Sequence, residues 1–304
     1  MLSILIPVYN VEIVTLVEDL RKQCLQTGLL FEILCFDDGS APEYLQSNQQ
    51  IRQFPFVQYR KMDTNLGRSR IRNALADAAT FDYLLFMDAD SAVVRDNYIQ
   101  QYYQHIHPER VLVGTTTYQP KPPQNPTVHL RWHYGQRRER LSAAQRSKHP
   151  YHAFRTHHFL IPKTLFQSIR FDETLLEYGH EDTIFGLELK RRKVPILHID
   201  NPLEHTGLEP TQIFLSKSRR ALSNLYRLDR KGAPIDTRLL RLFKRLKSYH
   251  LGTIVLLIFG WIEPLILKNL HSRFPSLWLF DYYKLAYLIR ESRQTGRHIP
   301  MKSA

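Results

Sequence analysis

The chain of 304 residues has little of what marks secreted, spanning or repetitive proteins. It holds two cysteines, Cys24 and Cys35, too few for a disulfide framework, and a reducing compartment fits. Cys35 lies in an apolar run and reads as a small core residue. No basic segment precedes Ile4-Leu5-Ile6, so a cleaved signal peptide is not expected. There is no internal repeat and no low-complexity tract. The apolar run 251–262 is interrupted by Glu263-Pro264, and at that length it falls short of the roughly 20 residues that a bilayer span requires. Acidic residues are scarce in one region only. Residues 217–304 hold 18 Lys and Arg against 5 Asp and Glu, whereas residues 1–216 hold 24 of each. The difference in the last segment equals the formal net charge of the whole chain, +13. Such asymmetry points to a nucleic acid or an anionic membrane surface.

With 43% hydrophobic residues, the chain can build a sizeable core. Segments at 2–8, 31–36, 57–60, 83–87, 111–117 and 196–199 read as strands. Helical spacing at 12–26, 69–79 and 181–192 places helices between them, and 159–161 and 164–169 resume regular structure. Strands alternating with helices predict an α/β fold with a mostly parallel, Rossmann-like sheet flanked by helices. Four prolines, Pro120, Pro122, Pro123 and Pro126, make 119–126 a loop or extended segment. Residues 129–158, rich in His and Arg, show no period and are expected to be mobile or ligand-facing. The shift in charge sets the expected division: 1–216 a catalytic domain, 217–304 a basic helical extension.

In such sheets ligands collect at the carboxyl ends of strands. Tyr9-Asn10, Asp37-Asp38 and Asp88-Ala89-Asp90 all fall there. In an extended segment alternate side chains share a side, so Asp88 and Asp90 can converge. Two carboxylates beside an apolar strand repel each other and resist desolvation. A hard divalent cation relieves both, and such cations bridge carboxylates to phosphates. A solvated acidic turn is the bland alternative for the motif alone.

Five ordered motifs decide between these. They are Ile6-Pro7-Val8-Tyr9-Asn10; Asp37-Asp38-Gly39-Ser40; Asn65, Gly67, Ser69, Arg72 and Asn73; Met87-Asp88-Ala89-Asp90; and Gly179-His180-Glu181-Asp182. In order and spacing the chain resembles family 2 glycosyltransferases with the GT-A fold, over residues 1 to about 210. The resemblance implies an inverting transfer from a UDP-sugar to a glycan or lipid-linked acceptor. It assigns Pro7, Val8, Tyr9, Asp37 and Asp38 to the nucleotide, with Arg72 nearby as a phosphate-facing fork. Asn65 and Gly67 read as loop-forming residues. Asp88 and Asp90 would hold Mn²⁺ or Mg²⁺, with His205 as a further ligand that tilts the choice to Mn²⁺. Asp182 is the candidate general base, with Glu181 and His180 on the acceptor side; a first-turn capping role is its alternative. Two departures stand out. The acidic motif ends in Ser91 where many relatives carry another Asp, and Arg155-Thr156-His157-His158 differs from the family pattern.

Residues 238–249 put Leu239, Leu242, Phe243, Leu246 and Tyr249 on one helical face, with Arg238, Arg241, Lys244, Arg245 and Lys247 around it. With Trp261 and Trp278 as anchors, 251–267 reads as an interfacial or re-entrant segment. The expected place of work is the cytoplasmic face of an anionic membrane, with no nucleic acid bound. A metal-dependent nucleotidyltransferase, or a non-enzymatic nucleotide- or nucleic-acid-binding protein, is the alternative. Nothing in the sequence specifies the oligomeric state.

Overall fold

The computed structural model describes residues 1–175 and 178–297. These form two compact units: one of 1–119, 138–175 and 181–207, the other of 120–137, 178–180 and 208–297.

The first unit is built on eight strands in the order β3-β2-β1-β4-β7-β6-β8-β5. They are β1 (Leu2–Val8), β2 (Phe31–Asp37), β3 (Val57–Lys61), β4 (Tyr83–Met87), β5 (Ser91–Val93), β6 (Val111–Thr117), β7 (His158–Pro162) and β8 (Ile196–His205). Strands β1 to β4 pair in parallel. Beyond β4 the sheet turns mixed, because β7 runs antiparallel to both β4 and β6. The helices of this unit are α1 (Val14–Thr27), α2 (Pro42–Asn48), α3 (Arg68–Ala78), α4 (Tyr98–Tyr103), α6 (Ala143–Ser147), α7 (Lys163–Ile169) and α8 (Glu181–Arg191). α5 (His129–Tyr134) belongs to the second unit.

The period of two decides the layers. Leu2, Ile4, Ile6 and Val8 of β1, with Leu85 and Met87 of β4, pack in one cluster with Leu16, Val17 and Leu20 of α1. Leu5, Leu84 and Phe86 point the other way, to Ile71 and Leu75 of α3, Phe166 of α7 and Phe185 of α8. A short strand matters most for the site. β5 pairs antiparallel with β8, setting Ser91 opposite His205. This carries the end of β8 back to the residue that follows Asp90.

The second unit holds α5 and four longer helices, α9 (Thr211–Arg230), α10 (Arg238–Ser248), α11 (Gly252–Leu270) and α12 (Leu277–Arg297). Its core contains Leu130, Leu215, Phe259, Ile266, Leu270, Phe280, Tyr283 and Ala286. The change of charge at 216–217 falls inside α9, which is continuous across it.

Three local expectations are corrected. The expected break at Glu263-Pro264 does not occur: α11 runs 19 residues with Pro264 inside it. Interior proline costs roughly 3 kcal/mol. Here the helix is held on both sides of it by buried Phe259 and Ile266. Glu263 is accommodated by Arg290 at 2.9 Å and the Tyr287 hydroxyl at 3.0 Å. Residues 129–158 are also more regular than expected: α5, a π turn at Gly135–Glu139 and α6 follow one another. Each is too short for a 3.6-residue period to show in sequence. In α10 the buried side chains are Leu240 and Phe243, while Leu242 and Tyr249 remain exposed.

Candidate active site

The carboxyl ends of β1, β2 and β4 meet at loops whose polar side chains first of all hold one another. Asp37 is fully buried. Its carboxylate accepts from the Gly39 and Ser40 amides, at 3.1 and 2.8 Å, and from the Tyr59 hydroxyl at 2.7 Å. Asp38 accepts from the amides of Leu66 (2.6 Å) and Gly67 (3.0 Å), while the Asn65 side chain donates to its carbonyl. Gly67 can begin α3 there because its φ is +80°, a value strained for other residues. Burial pushes the Asp38 carboxyl up, against the pull of those two amides. Asn10 and Ser40 tie the first loop to the second: Ser40 Oγ accepts from the Asn10 amide, and Asn10 Oδ1 from the Ala41 amide, each at 2.8 Å. Val8 is buried and offers only its backbone, its carbonyl taking the Asp38 amide. Pro7 is half-buried, and Tyr9 is exposed.

At the end of β4 the arrangement differs. Arg72, buried on α3, donates to Asp88 Oδ1 at 2.5 Å and to the Arg68 carbonyl at 3.2 Å. Two residues assigned separately to nucleotide and metal thus form an ion pair. Burial and neighbouring Asp90 push the Asp88 carboxyl up, opposed by Arg72 and Arg68. Asp90 Oδ2 lies 3.6 Å from His205 Nε2. The Asp90 carbonyl takes the Thr206 amide at 2.8 Å. Gly207 makes the approach possible: a Cβ there would sit 2.1 Å from Asp90 Oδ2.

On α8, Glu181 accepts from Arg68 Nη1 at 2.9 Å. Burial pushes Glu181 up, but Arg68 and Arg72 hold it below its ordinary value. Charged groups are therefore linked in a chain of contacts, Asp88 to Arg72, Arg72 to the Arg68 carbonyl and Arg68 to Glu181. Asp182 follows. Its Oδ1 takes the Thr183 amide at 2.7 Å, and its Oδ2 lies 3.7 Å from Arg155 Nη1. His180 belongs to the second unit, where its Nε2 lies 3.2 Å from the Ala221 carbonyl.

Several residues here carry no signal in sequence spacing. His157 Nε2 lies 3.0 Å from Ser91 Oγ, and its Nδ1 2.9 Å from Thr116 Oγ1. Its ring is 5.4 Å from that of His205, and its carbonyl accepts from the Asp88 amide. Tyr118 stacks on His205 at 5.6 Å. The one hint was the departure at 155–158, which contains both Arg155 and His157.

Among the described residues, no three His, Cys, Asp or Glu side chains are drawn close enough to cage an ion unaided. The Asp90 and His205 atoms 3.6 Å apart still fit an open site. Two ligands at about 2.1 Å from one ion lie roughly 3 Å apart when adjacent. The donor set of carboxylate oxygen and imidazole suits a divalent ion completed by phosphate oxygens.

Residues 3–170 match the profile of glycosyl transferase family 2. The chain belongs to that family. It is a glycosyltransferase, and its fold is that of the GT-A enzymes. A search of curated proteins found no match. Among solved structures, the glycosyltransferase resembles PcManGT, a mannosyltransferase from Pyrobaculum calidifontis in complex with GDP-Man and Mn²⁺, with a TM-score of 0.53, 12% identity, 99% of this chain and 76% of that chain covered. S. aureus TarS 1-349 in complex with UDP-GlcNAc gives a TM-score of 0.50 at 16% identity, covering 97% of this chain and 92% of that chain. GalNAc-T7 with UDP, GalNAc and Mn²⁺ gives 0.50 at 16%, covering 67% and 43%. At these identities the likeness establishes the fold.

Proposed function

We propose that the glycosyltransferase moves a sugar, with inversion, from a UDP-sugar to a hydroxyl of a glycan or lipid-linked oligosaccharide. It does so at the cytoplasmic face of an anionic membrane. The observation that carries the reading is the set of charged groups that leads from Asp90 and His205, beside Asp88, through Arg72 and Arg68 to Glu181 and neighbouring Asp182. It separates a cation-seeking end from a proton-accepting end. Complexes of PcManGT with GDP-Man and of TarS with UDP-GlcNAc support a nucleotide-sugar donor.

Asp90, His205 and the free oxygen of Asp88 would hold Mn²⁺ or Mg²⁺, with the imidazole favouring Mn²⁺. The chemistry supplied by the bound ion is neutralisation of charge on the departing diphosphate. Arg72 opposes the effect of burial on Asp88 and fixes its direction by holding Oδ1. Exposed Tyr9 and the Pro7 turn would pack on the base, and Asp38 would accept from base or ribose with lone pairs left after binding Leu66 and Gly67. Asp37 acts one step back, since its carboxylate shapes the loop that carries Asp38. Asp182 Oδ2, the oxygen not held by Thr183, would take the acceptor proton as the oxygen attacks.

Thermal denaturation with UDP, Mn²⁺ and Mg²⁺ tests the first half. UDP should stabilise the protein only with a divalent ion present. Asp88→Asn or Asp90→Asn should remove most of that coupling. Equal stabilisation by UDP in EDTA would refute the metal bridge, and a larger effect of GDP would refute the uridine assignment.

A further inference from the structure

α11 has two unlike faces. Phe259, Ile266 and Leu270 are buried with Phe280, Tyr283 and Ala286 of α12. Ile254, Leu257, Ile258, Trp261 and Leu265 recur at helical spacing on the other side, between 51% and 86% exposed. Phe274 and Trp278, just beyond the helix, are 78% and 85% exposed. Scattered exposed apolar residues are ordinary, but a continuous patch of this kind marks an interaction surface. Cations accompany it in the same unit. Lys268 closes α11, Arg273 lies in the following turn, and Arg238, Arg245 and Lys247 are exposed on α10.

By length and composition α11 is long and apolar enough to cross a membrane. Its neighbour argues against crossing. α12 hydrogen-bonds α11 at Thr253, Val255 and Glu263 through Arg293, Tyr282 and Arg290. It also carries Asp281, Lys284 and Glu291. A helix docked along its length on such a charged partner cannot enter the hydrocarbon alone without losing those contacts. An apolar face backed by a protein core and rimmed by Lys and Arg suits the interface of an anionic leaflet.

We infer that α11 lies in the plane of an anionic bilayer, with Ile254, Leu257, Ile258, Trp261 and Leu265 inserted and Trp278 anchoring beside them. This rests on the membrane-surface reading above and adds a mode of attachment to it. The test uses full-length protein with phosphatidylglycerol–phosphatidylcholine vesicles whose acyl chains are brominated at graded depths. Tryptophan fluorescence should be quenched most by shallow bromines, about 5–10 Å below the headgroups. Trp132 is nearly buried, so Trp261→Phe together with Trp278→Phe should abolish most of the quenching. Leu257→Gln with Ile258→Gln should weaken vesicle binding at least tenfold and leave UDP binding unchanged. Binding without quenching would overturn insertion and leave charge attraction standing. Strongest quenching at the midplane would mean that α11 spans. No binding to anionic or neutral vesicles would refute both readings. A concentration-dependent dimer that shields Trp261 from acrylamide would assign the face to a second copy of the chain.

Discussion

The two units distribute polarity in opposite ways. The sheet unit takes charge and hydrogen-bonding groups inside: Asp37, Arg72, Arg146, His158 and His198 are all buried. Its exposed large apolar residues, such as Leu25, Leu30, Phe56 and Tyr103, belong to separate loops and helices. The helical unit buries an apolar and aromatic core, yet leaves Trp261, Leu265, Phe274 and Trp278 in solvent. Each unit carries a costly feature where the proposals above place its function. Buried charge must be paired to be tolerated, so it is organised and directional, as chemistry needs. Exposed apolar surface is non-directional, as attachment needs.

The sharpest break of this comparison lies on α8. If the sheet unit's inner charges serve catalysis, Asp182→Asn should lower turnover by about 10²- to 10⁴-fold with UDP binding nearly unchanged. Asn keeps the shape and can still accept from the Thr183 amide, so the fold should survive. Near-normal turnover would leave Asp182 a first-turn helix acid. Anomeric analysis of the product sharpens the result, because retention of configuration would rule out a single-base inversion.

What was legible in sequence follows the same division. Strand β4 carries the residues its apolar run predicts, Tyr83–Met87, since buried strands are continuously apolar, and β6 keeps the expected bounds Val111–Thr117 although only its first half is apolar. Asp88 and Asp90 could be placed at the end of β4 because the apolar run stops there. His205 was set beside them by the family resemblance alone, and the pairing of Arg72 with Asp88 was not foreseen. Arg72 reads as a phosphate fork until α3 turns it onto Asp88. His205 reaches Asp90 only through the β5–β8 pairing, a long-range event that no local period announces. His157 was hidden in 129–158, where two short helices and a π turn leave no readable pattern. The run through Pro264 misled because packing on α12, invisible in sequence, outweighs a local breaker.

A second break concerns the helical unit. Arg241, Lys244, Arg245 and Lys247 changed together to Gln should weaken binding to anionic vesicles by up to about 10²-fold at low salt. Each nearby cation contributes about 1 kcal/mol before screening. The four are not equal. Arg241 lies 2.5 Å from Asp236, and Lys244 2.6 Å from Asp229. Arg245→Gln with Lys247→Gln should therefore account for most of the loss. Co-sedimentation at low and high salt measures it, and equal losses from the two pairs would show that those internal ion pairs open at the surface.

The smallest expected effect tests the cost of polar groups inside the sheet unit. Arg146 Nη1 donates to His198 Nδ1 at 2.8 Å, and His198 Nε2 donates to the Pro150 carbonyl at 3.0 Å. Burial lowers His198 to about 4, and Arg146 adds to that effect. His158 is likewise held well below its ordinary value by burial and by His157. The sign follows from proton counting. Between pH 6.5 and about 4 the unfolded chain takes up a proton that folded His198 refuses, so stability falls as pH falls through that window. Near pH 4 the folded ring also protonates and this contribution levels off. His198→Gln keeps an acceptor for Arg146 but cannot titrate. Its melting temperature should lie below the parent's at pH 7.5 and approach it by a few degrees toward pH 4. His158 should preserve some slope in both proteins. Melting curves that stay parallel across the window would mean that acid sensitivity resides elsewhere, and that burying His198 carries no protonation cost.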